Sequence, residues 1–259
     1  MGIGAGADRS IFCAFPFDKL DRFQLPAARR LATKKMKEQK DMQPDYFDLL
    51  DKSLDDVKLL QTQTGVIRYF ADEVMRFRSI AGTLRAVGGF TLDETASADE
   101  RSITHVLMRS LLEGYFNILY LFDDVTQASA RYLGLTNAFK HEYIKLMNEG
   151  AGSTLAPVLQ ANPNPLEPAN PLWVTTPRIP DARSILEAIT NQYGDRLGFL
   201  YFTYRVSSFD THGRGHKGLY EDVFNKAGNF PVLKIKNAID IVANEYLVVL
   251  NLIQGGTVV

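Results

Sequence analysis

Apolar residues recur at helical spacing along most of the chain, and this pattern constrains the fold more than any other feature. Between residues 45 and 63 they occur at Tyr46, Leu50, Leu54 and Val57, on one face of a helix. The same spacing is found over 66–87, 103–122, 128–148 and 181–212, and in a last segment that ends near residue 253. No segment shows the alternation of a β-strand. The sequence therefore predicts an all-α protein, folded as a helical bundle.

Several helix boundaries can be assigned from local signals. Gly65 either separates two helices or lies within one long helix at some cost in stability. Ser97 and Glu100 have the spacing of a capping box, which predicts a helix start at this point. The segment that follows Asn229 is apolar almost all round, so we expect the last helix to lie in the centre of the bundle.

Residues 151–180 differ in composition from the rest of the chain. They contain seven of the eleven prolines and Trp173, the only tryptophan. Because proline interrupts helices, this composition predicts a long irregular connection, which can serve as a lid or as an interface arm.

The composition is that of a globular protein, with 46% hydrophobic residues and a formal net charge of −1. A charge near zero offers no overall basicity for nucleic-acid binding, which would have to come from a local patch. Cys13 is the only cysteine, which predicts a reducing compartment without an internal disulfide. No apolar stretch has the length of a membrane span. The expected location is therefore the cytoplasm, without membrane contact.

The N-terminal residues 1–44 are expected to form an arm with a short basic helix, and residues 45–259 the helical domain. The basic helix is a weak candidate for RNA binding through Arg29, Arg30, Lys34, Lys35 and Lys37. A solvent-exposed charged face is the other interpretation of this run.

A first group of polar residues follows one side of the helix that begins near residue 98. His105, Arg109, Glu113 and Asn117 are spaced by four residues, and apolar residues lie beside them. A buried arginine and glutamate must be paired. The structural interpretation is an Arg109–Glu113 pair, with Asn117 bonded to a neighbouring helix; the functional one is support of a site.

A second group lies at the end of the helix predicted up to residue 212. Arg205 and His212 are almost two turns apart and share a helix face with Ser208, and glycines follow directly. Histidine transfers protons near neutral pH, and arginine can hold a phosphate. The alternative is a histidine that caps the helix end and an arginine paired across the bundle. His216 adds a spacing of four to His212, but Gly-Arg-Gly intervenes, and no metal or cofactor site is predicted.

Two short segments, RSLLEGYFNILYLF (109–122) and YRVSSFDTH (204–212), resemble helical families of the HEPN superfamily. Those families carry an Arg-Glu-Asn helix, matched by Arg109, Glu113 and Asn117. They also carry a Tyr-x3-Ser-x3-His segment, here Tyr204, Ser208 and His212. The Arg-x4–6-His motif of HEPN ribonucleases is matched in its longest form by Arg205 and His212.

The resemblance implies a metal-independent endoribonuclease of the toxin or antiviral defence type, without a cofactor. It implies a homodimer in which two copies of Arg205 and His212 meet, an RNA substrate, and an antitoxin or defence-system partner. Active members usually have a polar residue after the arginine, where this chain has Val206. The alternative is therefore a non-catalytic HEPN-like binding or scaffold protein that acts through a dimer surface.

Overall fold

The computed structural model describes residues 44–93, 95–151, 166–189 and 195–256. These residues form nine α-helices and no strand, so the predicted all-α class is confirmed. The helices are α1 (Tyr46–Lys52), α2 (Leu54–Leu60), α3 (Gly65–Ala86), α4 (Ala98–Phe122), α5 (Ala128–Ala151), α6 (Ala182–Ala188), α7 (Asp195–Thr211), α8 (Lys217–Phe224) and α9 (Ile235–Gln254).

The segment 45–63 was predicted as one helix, and this prediction is wrong. The chain turns at Ser53, which has ψ near 7°, and continues as a second short helix. The turn lets both pieces bury apolar side chains, Leu50 from α1 and Val57 from α2. Gly65 does separate α2 from α3, because it takes a φ of 65°, a left-handed conformation in which glycine is favoured.

Helix α4 is the structural centre of the bundle, since it packs against α3, α5, α6, α7 and α9. The predicted capping box is present at its start, where Ser97 Oγ accepts from Glu100 N and Glu100 Oε2 accepts from Ser97 N. Along its length α4 buries thirteen residues. The expectation that the last helix is central is therefore wrong. Helix α9 exposes a stripe that includes Asn237 and Val248, because it covers one side of the bundle.

A partly buried polar cluster joins α3, α4 and α9. Arg76 donates two hydrogen bonds to the Glu73 carboxylate, at 2.7 and 2.8 Å, and two more to the hydroxyl and carbonyl of Ser110 at 3.0 Å. Tyr246 donates to the same carboxylate at 3.2 Å. Burial raises the pKa of Glu73, and the guanidinium of Arg76 opposes that shift. Gly114 leaves the space that these side chains fill.

The prediction of one continuous helix over 181–212 is wrong as well. Helix α6 ends at Ala188, since Ile189 has an extended ψ of 129°, and α7 begins at Asp195. Helix α6 starts at the N-cap residue Asp181, whose carboxylate accepts from Ser184 N at 2.8 Å.

The predicted irregular connection is confirmed over its described part, since residues 166–180 contain no α-helix. This segment lies along α5, where Ile179 N donates to Gly134 O at 3.1 Å and Asn137 Nδ2 donates to Pro177 O at 3.2 Å. Residues 152–165 lie outside the described residues.

Within the described part of the chain, no helix has both the length and the apolar character needed to cross a membrane. The described residues from Asp45 onward belong to one compact unit. The N-terminal arm and its basic residues lie outside the described residues, so the division at residue 44 stays a prediction.

Candidate functional site

Arg205 and His212 lie on one solvent-exposed face of α7. The backbone keeps helical geometry through His212, whose N–H donates to Ser208 O at 3.1 Å. The helix then ends in a Schellman motif, in which Gly213 has a φ of 64° and Arg214 N donates to Phe209 O at 2.7 Å. The two side chains therefore start about 10 Å apart along the helix axis, at 1.5 Å per residue.

The sequence also allowed purely structural roles, in which His212 caps the helix end and Arg205 is paired across the bundle. Neither role is observed in the described part of the chain. The guanidinium of Arg205 forms no ion pair across the bundle there, and the imidazole of His212 caps no helix carbonyl. The same face exposes Phe202 and Phe209, at 54% and 42%. The face thus combines apolar surface with a guanidinium and an imidazole that have no side-chain partner among the described residues.

Four of the predicted supporting residues form a network directly beside this face. The guanidinium of Arg109 lies 3.8 Å from the ring centroid of Tyr204, donates to Ser208 Oγ, and pairs with Glu113 at 2.9 Å. Ser208 Oγ in turn donates to the carbonyl of Tyr204 at 2.8 Å. The predicted Arg109–Glu113 pair is confirmed, and Arg109 in addition fixes α7 against α4.

Asn117 does not belong to this network. Its Nδ2 donates to the hydroxyl of Tyr69 on α3 at 3.4 Å, which confirms the predicted bond to a neighbouring helix. Burial raises the pKa of Tyr69 to about 12, so the phenol stays neutral near pH 7.

A second network lies below the exposed face and is almost fully buried. Asp210 accepts from Arg101 at 3.2 Å and contacts Nδ1 of His105 at 2.6 Å, and all three side chains are at most 3% exposed. Arg101 also donates to Gly215 O at 2.7 Å. This network ties the end of α7, and the loop after it, to the first turns of α4.

Burial lowers the pKa of His105 from its usual value of 6.5, although the carboxylate of Asp210 favours the charged form. Nε2 of His105 is buried and has no hydrogen-bond partner among the described residues. A proton there would be an unsatisfied buried donor beside Arg101, so the neutral form with a proton on Nδ1 fits the site.

Sequence reasoning missed Arg101 and Asp210. A signal for Arg101 was present, because the polar stripe of His105, Arg109 and Glu113 extends one turn back to Arg101 at the same spacing of four. No local signal identifies Asp210, since its partners lie more than one hundred residues away in the chain.

Among the described residues, no three His, Cys, Asp or Glu side chains are grouped so that they could hold a metal ion. Arg29, Arg30, Lys34, Lys35 and Lys37 lie outside the described residues, so their role in RNA binding stays a prediction.

Comparison with protein-family models, curated proteins and solved structures finds no match for this chain.

Proposed function

We propose that the protein is a metal-independent endoribonuclease of the HEPN type, in which Arg205 and His212 act on an RNA phosphodiester. The observation that carries the proposal is that both side chains are exposed on one side of α7 and form no ion pair or side-chain hydrogen bond with the described residues. An arginine and a histidine with structural roles are expected to be buried or paired, as Arg101 and His105 are.

The proposed chemistry uses groups of the RNA itself together with these two residues. The 2′-hydroxyl attacks the adjacent phosphorus and loses its proton to one imidazole, while the 5′-oxygen leaves with a proton from a second histidinium. The guanidinium of Arg205 holds the phosphate and the charge that develops on it. Because one chain supplies one His212, a homodimer with two copies of the motif completes the proposed site.

The network beside the face and the network below it support this assignment. Catalytic groups must be held in position by surrounding contacts. Arg109 anchors Ser208, which is one turn from both Arg205 and His212, and Asp210 is held by Arg101 and His105. The helix that would carry the catalytic pair is therefore fixed against α4 along about its last two turns.

A non-catalytic binding or scaffold protein is the second candidate. The exposed Phe202 and Phe209 favour it, because apolar side chains on one face are typical of a protein contact. Val206, which replaces the polar residue of active HEPN members, is 9% exposed and packs in the core. Both candidates include a cytoplasmic location and an antitoxin or defence-system partner.

Replacement of His212 by Ala should lower RNA cleavage at least a hundredfold, since general acid–base catalysis contributes about 10²–10⁴-fold. Arg205→Lys should also be severely impaired, because it loses the planar fork that binds phosphate. Cleavage of varied RNAs by purified protein, with and without a chelator, is the measurement. Two surface changes, His141→Ala on α5 and Arg196→Lys on α7, serve as matched controls and should leave cleavage unchanged.

The endoribonuclease is ruled out if dimeric wild-type protein leaves all RNAs uncut while it still binds a partner protein. That result would favour the scaffold. Loss of cleavage on chelation would instead contradict the metal-independent mechanism. A folded His212→Ala protein, checked by thermal melting, is required for the comparison, and the 212 side chain is exposed enough to be removed without a cavity.

A further inference from the structure

A pocket of about 370 Å³ opens between α3, α5 and the segment 166–180, on residues that the proposed ribonuclease does not use. Its walls are largely aromatic, with Tyr69 from α3, Tyr132 and Phe139 from α5, and Trp173 from the segment. Binding sites for small organic molecules usually measure about 300–1,000 Å³ and are lined by apolar and aromatic side chains with a few polar groups. The pocket therefore has the size and lining of a small-molecule site.

The aromatic walls are held in place by contacts with one another and with Tyr143, which lies outside the lining. Tyr132, Phe139 and Tyr143 follow one face of α5, and the ring of Tyr132 lies 5.9 Å from that of Tyr69. Trp173 packs edge to face on Tyr143 at 5.9 Å. A site with preformed walls loses little conformational entropy when a ligand enters.

Two further bonds fix the segment that carries Trp173. Tyr143 donates its hydroxyl proton to Glu167 O at 2.6 Å, and the fully buried Asn137 donates to Pro177 O at 3.2 Å. The segment is thus bonded to α5 on both sides of the tryptophan. The sequence analysis interpreted the proline-rich segment as a lid or an interface arm. In the structure, its Trp173 forms one wall of a pocket.

Lys140 is the single charged residue in the lining. Its ammonium donates to Asn137 Oδ1 at 3.3 Å and forms no ion pair with a carboxylate of the described residues. An ammonium has three donors, so this contact leaves donors for a ligand. A cation at the edge of an aromatic wall favours an anion whose ring can stack on that wall.

We propose that this pocket binds a planar aromatic molecule that carries an anionic group. The ring lies against Trp173, Phe139 and the tyrosines, and the carboxylate or phosphate accepts from Lys140. A mononucleotide and an aromatic carboxylic acid share this chemistry. The proposal does not depend on RNA cleavage at α7, because none of its residues lies on that helix.

The test is isothermal titration calorimetry of the full chain with two anions and their neutral counterparts. Adenosine 5′-monophosphate is compared with adenosine, and naphthalene-2-carboxylate with naphthalene-2-carboxamide. At least one anion should bind with one site per chain and about tenfold tighter than its neutral counterpart, as expected for a charge-assisted hydrogen bond. Because Trp173 is the only tryptophan, its fluorescence should change on binding of the nucleotide.

Two variants locate the bound probe. Lys140→Gln should weaken the anion about tenfold and leave the neutral counterpart unchanged. Phe139→Ala should weaken both, and its 64% exposure means that the core is left intact. Lys145→Gln, an exposed lysine on the same helix outside the pocket, removes the same charge and should have no effect.

Which of the two anions binds shows whether the ligand is a mononucleotide or an aromatic acid. Binding of the nucleotide alone points to a mononucleotide, binding of the naphthoate alone to an aromatic acid, and binding of both to the shared chemistry. The proposal is overturned if no probe binds at about 1 mM, the weak end of the affinity scale. It is equally overturned if Lys140→Gln and Lys145→Gln bind the anion with the same affinity. His212→Ala should bind as the wild type does, which separates this result from the outcome for cleavage.

Discussion

At the scale of single residues, the buried contact between His105 and Asp210 decides how the end of α7 is held. The carboxylate accepts from the His105 Nδ1–H at 2.6 Å and from the Arg101 guanidinium at 3.2 Å, and all three side chains are buried. A buried carboxylate that loses one of these partners is costly, because breaking a buried pair typically costs about 3–5 kcal/mol. The exposed residues of the candidate site therefore depend on side chains that are buried beneath them.

The lowered pKa of His105 predicts a dependence of stability on pH. In the unfolded chain His105 takes up a proton near pH 6.5. In the folded chain it does so only at a lower pH, because burial lowers its pKa. The free energy of unfolding should therefore fall as the pH decreases below about 6.5, and this loss should stop below the folded-state pKa. Urea denaturation at a series of pH values measures this dependence of the free energy of unfolding on pH.

His105→Asn keeps an N–H donor near the position of Nδ1 and cannot take up the proton. Its free energy of unfolding should change less between pH 7 and pH 5 than that of the wild type. His141→Asn, at a site with 42% side-chain exposure, is the matched control and should retain the wild-type slope. Equal slopes for the wild type and His105→Asn would show that the pKa of His105 is not lowered by folding.

At the scale of elements, α4 can lie close to α3 because Gly114 faces the Glu73–Arg76 pair. A Cβ atom at this position would overlap the carboxylate of Glu73 and the guanidinium of Arg76. Neither end group can move freely, since Tyr246 and Ser110 also hold them. The contact between α3 and α4 thus depends on the absence of a Cβ atom at Gly114.

Two glycine-to-alanine changes in helix interiors should have opposite effects. Gly114→Ala should lower the free energy of unfolding by about 1–3 kcal/mol, the usual cost of overpacking a core. Gly82→Ala on α3 has open space around its Cβ position and should raise it by about 0.5–1 kcal/mol, because alanine favours the helix. Chemical denaturation of both variants gives the comparison, and a stabilised Gly114→Ala protein would contradict the packing described above.

At the scale of the whole molecule, the exposed face of α7 is where a second copy is expected. If two chains meet there, light scattering at tens of micromolar, a range in which a weak dimer is populated, should give the mass of a dimer. Phe202→Glu should shift it to the monomer, because a buried unpaired carboxylate is unfavourable in an interface. The mass of the Phe202→Glu protein thus reports whether this face is the interface.

Leu59→Glu on α2, where the side chain is 68% exposed, is the matched control and should remain a dimer. A wild-type protein that is monomeric at these concentrations would remove the composite ribonuclease site. A dimer that Phe202→Glu leaves intact would place the interface elsewhere.

The sequence by itself determined the helical class, the start of α4 at Ser97, the irregular segment up to residue 180 and the helix end at Gly213. Each of these follows from interactions within a few residues, such as capping, left-handed glycine and the spacing of apolar side chains. The Arg109–Glu113 pair was also predictable, because an i,i+4 pair needs one helix only.

Only the tertiary structure decided the break at Ser53, the central position of α4, the partners of Asp210 and the placement of Trp173 on α5. These depend on which helix faces meet, and the apolar periodicity that predicts a buried face does not specify what covers it. From sequence alone, an aspartate such as Asp210 is expected to be exposed, because aspartates are almost never fully buried unless they are paired. Its role is fixed when Arg101 and His105 approach from another helix, because a buried carboxylate is stable only with such partners.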